Sequence, residues 1–457
     1  MHRVASHAAK IAVAASLVFQ GTAPVLAQGA NIPLIRDAEI ESLMRIYSRP
    51  IFKVAGISEG AAKVYLVNQQ GINAFVAGGQ RIFINTGLLS QAKTPNEVIG
   101  VLAHETGHIA GGHLARMGAQ VEKASAQAII GMLLGAAAIA GGVAAGSDGA
   151  SQAGAGVFLG TQGLVTRNLL AYVRAQESAA DQAAVKFLDE TGQSGRGMLT
   201  LFQKLANQSM GSLRNVNPYV MTHPMPLDRI RNLELSVQKS PFYDRQDPED
   251  LMLRHRLMQA KIAGYLNAPQ QVFQQYPSSD KSLPARYARS IAAYRMGDIK
   301  SALRELNALT QAQPGYAYFW ELKGQALLES ARAAEAVAPL QKAAKLSNGN
   351  GLIHIMLAKA LLQQESSANA QAALKILKSA MKSERDTPIL HAQMAIAYAR
   401  LGNIPLADLS TAEAAILKGD RELASQKAQL AAQKLKQGSP EWIRAKDILN
   451  FADRKKS

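Results

Sequence analysis

The stretch TPNEVIGVLAHETGH, residues 94–108, decides how the chain is read. Thr94 suits a helix N-cap, Pro95 the first helical position and Glu97 the third, so the run opens as a capping box. Val98, Val101, Leu102 and Ile109 then recur at helical spacing. On that helix His104 and His108 stand four residues apart and share one face, with Glu105 beside them. Two imidazoles so placed can bind one metal ion, and the adjacent carboxylate can take a proton from water held there.

Upstream, residues 63–68 (KVYLVN), 72–77 (INAFVA) and 80–86 (QRIFINT) read as short strands. Only Gly78-Gly79 separates the last two, which is a β-hairpin signal. An N-terminal helix precedes them, clearest from Glu39 to Tyr47. A small sheet therefore leads into the helix that carries the histidines.

Downstream, residues 124–166 contain one charged residue, Asp148, and many Gly and Ala. The uncharged run 128–146 meets the length of a membrane span, although Gly and Ala weaken its transfer free energy. An apolar helical hairpin over the site, a peripheral membrane contact and a span are all open for it. A second strong helix starts at Arg167 and ends near Gly192, with Arg174, Glu177 and Asp181 on one face. A catalytic zinc takes three protein ligands and keeps one position open for water. One of these carboxylates can be the third ligand while the other orients a ligand histidine, and spacing does not say which. A plain salt-bridge stripe along the helix is the structural alternative. A helix over 196–208 and an irregular loop over 219–229 (YVMTHPMPLDR) follow. His113, nine residues after His104, falls on the opposite helix face and reads as no ligand.

The C-terminal third carries a repeat. Ala302, Ala336, Ala373 and Ala407 recur at steps of 34, 37 and 34, with the excess assigned to the polar insert 365–370. Gly297, Gly402, Trp320, Gly324, Tyr398, Pro314 and Pro388 also sit at repeat positions. A 34-residue period of paired helices is the tetratricopeptide pattern.

Composition limits the rest. The chain has 457 residues, 48% of them hydrophobic, enough for two or three domains with packed cores. It has no Cys, which excludes disulfides, thiolate nucleophiles, Cys-ligated zinc and lipoprotein attachment. Arg3 and Lys10, the apolar run 11–19 and Val25-Leu26-Ala27 form an export signal, with cleavage after residue 27. Once the chain is exported, the net charge of +16 loses its nucleic-acid meaning and suits anionic membrane surfaces or acidic clients.

His104-Glu105-x-x-His108 with Glu177-x-x-x-Asp181, Thr222-His223-Pro224 and Arg229 resembles the M48 family of zinc metallopeptidases. The likeness covers nearly the whole mature chain. It implies one Zn2+ per chain, held by His104, His108 and Glu177, with Glu105 as general base. It places Asp181, Arg174 and Arg229 around those ligands, and Asn73, Ala74, Phe75 and Val76 on the edge strand where substrate lies. His223 takes the position of the family's loop histidine, read either as a fourth ligand that latches the site or as a donor to the oxyanion.

The expected architecture is mainly α: a helical zincin-type metallopeptidase domain with a small β-sheet, followed by an α-solenoid of tetratricopeptide repeats. Its segments are a signal peptide (1–27), the metallopeptidase domain (28–237), a helical linker (238–282), the solenoid (283–437) and a C-terminal helical tail (438–457). The expected function is a periplasmic zinc metalloendopeptidase that cleaves misfolded or stalled outer-membrane proteins. The repeats would recruit clients or the outer-membrane assembly machinery. The alternative is mainly a chaperone or assembly adaptor with a latent protease site.

Overall fold

Helix α1 (Ala38–Val54) begins where the Asp37 side chain accepts from the Ile40 N–H at 2.8 Å. It buries Ile40, Leu43, Met44, Tyr47 and Ile51, one helical face, in the first core. A computed structural model describes residues 32–58, 60–125, 148–210 and 217–453. Residues 1–27, read above as an export signal, and the uncharged run 128–146 lie outside them. Among the described residues no helix is long and apolar enough to cross a membrane. Contacts divide the chain into Met1–Leu34, described only from residue 32, and Ile35–Ser457, which holds everything below.

The two-residue strand β1 (Leu34–Ile35) straddles that division. Strands β2 (Lys63–Val67), β3 (Ala74–Ala77) and β4 (Arg81–Asn85) follow. β4 lies between a parallel β2 and an antiparallel β3, which leaves β3 on the edge. The hairpin loop is one residue longer than the Gly-Gly pair, because Ala77 pairs with Arg81. Gly78 and Gly79 both take positive φ, and the Gln80 carbonyl turns to accept from the Lys63 N–H at 3.2 Å.

After the short helix α2 (Thr86–Gln91) comes α3 (Pro95–Ala110), which carries the histidines. The Thr94 side chain accepts from the Glu97 N–H at 3.3 Å, while the Glu97 carboxylate accepts from the Lys93 N–H at 2.8 Å. The capping box thus reaches back one residue further than its usual form. The next long helix, α4 (Asp148–Glu190), starts well before Arg167. α3 crosses α4 and α5 (Arg196–Met210) without room for side chains. A Cβ on Gly107 would lie 2.8 Å from the Ala180 carbonyl oxygen, and one on Gly100 2.4 Å from Met198 Cβ. The region read as an irregular loop is partly helical: α6 (Pro218–Thr222), then His223 as its C-cap, then α7 (Leu227–Gln238). The Asn217 side chain starts α6 by accepting from the Tyr219 N–H, a local bond that residue periodicity does not register.

Twelve helices follow among the described residues, from α8 (Glu249–Leu266) and α9 (Pro269–Gln275) to α19 (Pro440–Asp453). Between them, α10 (Leu283–Arg295) to α18 (Arg421–Lys434) stack in sequence order. The marker residues Ala302, Ala336, Ala373 and Ala407 are all buried on second helices of the pairs, namely α11 (Ile299–Ala312), α13 (Ala333–Leu346), α15 (Ser367–Glu384) and α17 (Ile404–Leu417). A Cβ on Gly324 would meet Leu340 Cγ at 2.4 Å, which is why a small residue recurs where paired helices cross. The longer repeat step appears as helix: α15 has 18 residues where α11, α13 and α17 have 14. Much of the excess lies before Ala373, where polar Ser and Asn at 366–369 open the helix rather than interrupt it.

A buried polar junction ties α1 to the repeats. The Glu39 carboxylate accepts from the hydroxyls of Tyr287 (2.8 Å) and Tyr316 (2.6 Å). Lys261 Nζ stands 2.7 Å from Asp37, 3.3 Å from Glu39 and 3.5 Å from Glu321. Burial alone would neutralise Lys261, but these carboxylates hold its pKa well above the usual lysine value.

Candidate metal centre

Four side chains from three elements converge behind the sheet. His104 and His108 come from α3, Glu177 from α4 and His223 from the end of α6, and each offers one ligand atom within 4.8 Å of the others. His104 Nε2 lies 3.0 Å from His108 Nε2, 3.4 Å from Glu177 Oε2 and 3.4 Å from His223 Nδ1. His108 Nε2 lies 3.3 Å from Glu177 Oε1. Two ring nitrogens turned toward each other and toward a carboxylate gain little without a shared cation. The set of imidazole nitrogens and carboxylate oxygen matches the donors zinc prefers, so the residues present fit the metal.

The opposite edges of these rings are held as well. His104 Nδ1 stands 2.9 Å from Asp181 Oδ1. Arg229 Nε and Nη2 donate to the two Asp181 oxygens at 2.7 and 2.9 Å, and Nη1 reaches Glu177 Oε2 at 2.7 Å and the Pro224 carbonyl at 2.9 Å. The sequence left open which carboxylate faces the metal position. Glu177 faces both Nε2 atoms, whereas Asp181 sits behind His104. Arg174 is exposed on α4 and lines a cavity of about 260 Å³ together with Glu177, Asp181, Pro224 and Arg229. The cation paired with both carboxylates is Arg229, not Arg174.

Electrostatics follow this packing. Burial would disfavour a charged His104, but Asp181 and Glu177 outweigh it and push its pKa up to about 9. Burial would raise Glu177, yet His104, His108 and His223 hold it well below the usual carboxylate range. Asp181 is likewise lowered, against its burial, by Arg229 and His104.

Glu105 is fully buried. Its Oε1 accepts from the Tyr219 hydroxyl at 3.5 Å and lies 3.5 Å from His223 Nε2. The Tyr219 ring stacks on His223, with centroids 4.5 Å apart. Neither Tyr219 nor Phe202, whose ring meets His104 edge-on at 5.5 Å, was singled out from the sequence. Tyr219 precedes His223 by four residues, and that one-turn spacing is the signal that could have found it. His113 also lies at the site and not on an opposite face, because α3 ends at Ala110 and the chain turns at Gly111-Gly112. The edge strand β3 packs against α3, and Asn73 immediately precedes it.

Residues 36–236 match the model for peptidase family M48. The chain is 25% identical over 353 residues to a beta-barrel assembly-enhancing protease of Yersinia pestis, covering 76% of this chain and 70% of that one. It is 24% identical over 412 residues to a protein of the same name from Escherichia coli (strain K12), covering 90% and 82%. The metalloprotease LoiP of Escherichia coli (strain K12) is 33% identical over 171 residues, covering 37% and 60%.

Proposed function

Because residues 36–236 are a peptidase family M48 domain and the chain is a metalloendopeptidase, we propose that it is an exported, periplasmic, zinc-dependent endopeptidase acting on misfolded or stalled outer-membrane proteins. The convergence of His104, His108, Glu177 and His223 beside the buried Glu105 carries the reading. Zinc, when bound, supplies Lewis acidity that polarises a peptide carbonyl and makes water nucleophilic at neutral pH. Glu105 takes the proton from the attacking water and passes it to the leaving amine. The outer edge of β3 offers unpaired backbone groups to an extended chain, which gives affinity with little sequence selection. The repeats recruit clients or the outer-membrane assembly machinery.

The purified Glu105→Gln variant should retain zinc and lose cleavage of casein; full residual cleavage would refute the reading. His223 reaches both Glu177, at 3.2 Å, and Glu105, at 3.5 Å, which supports a latch over the site rather than an oxyanion donor. His223→Ala should then raise casein cleavage, whereas equal or lower activity favours the oxyanion role. The same occupied geometry favours a second reading, an assembly adaptor with a latent site. That reading requires a Glu105→Gln strain to keep normal envelope assembly.

A further inference from the structure

α3 stops at Ala110, and Gly112 takes φ +61°, a left-handed conformation suited to glycine. A helical stretch resumes at 113–125. The turn folds the His113 ring back onto His108, edge to face, with centroids 4.9 Å apart and Nδ1 to Nδ1 at 2.9 Å. This approach requires a bare residue 111, since a Cβ on Gly111 would lie 2.2 Å from His113 Nε2. His113 is 6% exposed, so its ring is a packed part of the site.

His108 presents Nε2 to the ligand cluster, 3.0 Å from His104 Nε2 and 3.3 Å from Glu177. A ring that donates its Nε2 lone pair to a metal carries its proton on Nδ1, and a buried N–H needs an acceptor. His113 Nδ1 faces that proton. We propose that His113 is the positioning residue for His108: its neutral imidazole accepts the His108 Nδ1–H, fixing tautomer and ring angle so that Nε2 points at the metal. Asp181 stands in the corresponding place behind His104, so the two ligand histidines are held by different chemistry, one by a carboxylate and one by an imidazole. His113 is not an additional ligand. Its Nδ1 is turned to His108, and it is absent from the converging ligand set.

The proposal rests on the zinc reading, and the test separates the two. Zinc affinity is measured by chelator competition on the full-length protein for the native chain and for His108→Ala, His113→Phe, His113→Gln and His113→Asn. Asn places Oδ1 where His places Nδ1, whereas Phe fills the space with no acceptor and Gln reaches past it. Phe and Gln should weaken zinc binding about 10–100-fold, and Asn should restore it to within ~3-fold of native. Native affinity in His113→Phe, or equal loss in Phe and Asn, overturns the positioning role while leaving zinc binding intact. If the native chain and His108→Ala bind zinc equally poorly, the zinc reading itself falls and the role falls with it. Should the His113 variants fail to fold, Gly111→Ala displaces the ring from outside the pair. It should lower zinc affinity likewise, and unchanged affinity would overturn the proposal.

Discussion

His104 Nδ1 stands 2.9 Å from Asp181 Oδ1, on the side of the ring opposite the Nε2 that faces His108 and Glu177. The carboxylate sets the ring angle and favours a proton on Nδ1, leaving the Nε2 lone pair for the metal. Asp181→Asn keeps the shape and removes the charge. Zinc affinity should fall about 10–100-fold, with kcat for casein falling alongside. Chelator competition checks this, and a change under ~2-fold would show that His104 is oriented by packing alone.

Arg229 joins that carboxylate to the ligand Glu177 from a position only 8% exposed. Removing it takes from both buried carboxylates the one guanidinium that they share and leaves them only the histidines. Arg229→Met should cost on the order of 3–5 kcal/mol in urea unfolding, as uncompensated buried charge does. Arg229→Lys should recover only part of this, because a single ammonium cannot repeat the fork that grips Asp181. Equal stability of Met and native chains would mean that water replaces the guanidinium.

The helix that carries the histidines was legible in outline because its signals are local. The Thr94 cap, the Pro95 start and the four-residue histidine spacing act within one turn of chain. The repeats were legible because Ala302, Ala336, Ala373 and Ala407 each face the same crossing in successive pairs. What escaped was long-range or depended on a backbone turn. Arg229 reaches Asp181 across 48 residues of sequence, and nothing in the α4 stripe excludes Arg174 as its partner. The His113 placement followed from continuing the helix through Gly111-Gly112, where the backbone does not continue. Tyr219, at the start of the segment read as an irregular loop, donates its hydroxyl to Glu105 across 114 residues of sequence, a contact with no local signal.

Gly107 lies on the turn between the two histidines and faces α4, where the Ala180 backbone fills the space a Cβ would need. A methyl group there would lie 2.8 Å from a carbonyl oxygen that cannot swing aside as a side chain can. Gly107→Ala should therefore separate α3 from α4, lower zinc affinity and cost about 1–3 kcal/mol by overpacking. Gly118, exposed in the helical stretch 113–125 with nothing within 4 Å of its would-be Cβ, is the control. Gly118→Ala should stabilise by up to about 1 kcal/mol, as removing a helical glycine does. Thermal unfolding of both variants checks the contrast, and parallel behaviour would defeat the close-crossing argument.

The solenoid has a titrating contact of its own at His391, on α16 (Pro388–Arg400). Its Nδ1 lies 3.0 Å from Glu413 Oε2 and its Nε2 2.7 Å from the Arg385 carbonyl. Both nitrogens thus face acceptors, which only the doubly protonated ring can satisfy. Burial and the Arg444 guanidinium, which pairs with Glu413 at 2.7 Å, oppose the charge; Glu413 and the Arg385 carbonyl outweigh them and raise the pKa above its ordinary 6.5. A folded-state pKa above the unfolded one adds stability that is fully present below the unfolded pKa and disappears as pH rises through the folded value. His391→Gln should accordingly lower the urea midpoint of the repeats more at pH 6 than at pH 8.5, about two units above the ordinary histidine value. A mutational loss that is the same at both pH values would show that the ring is held by shape and not by charge.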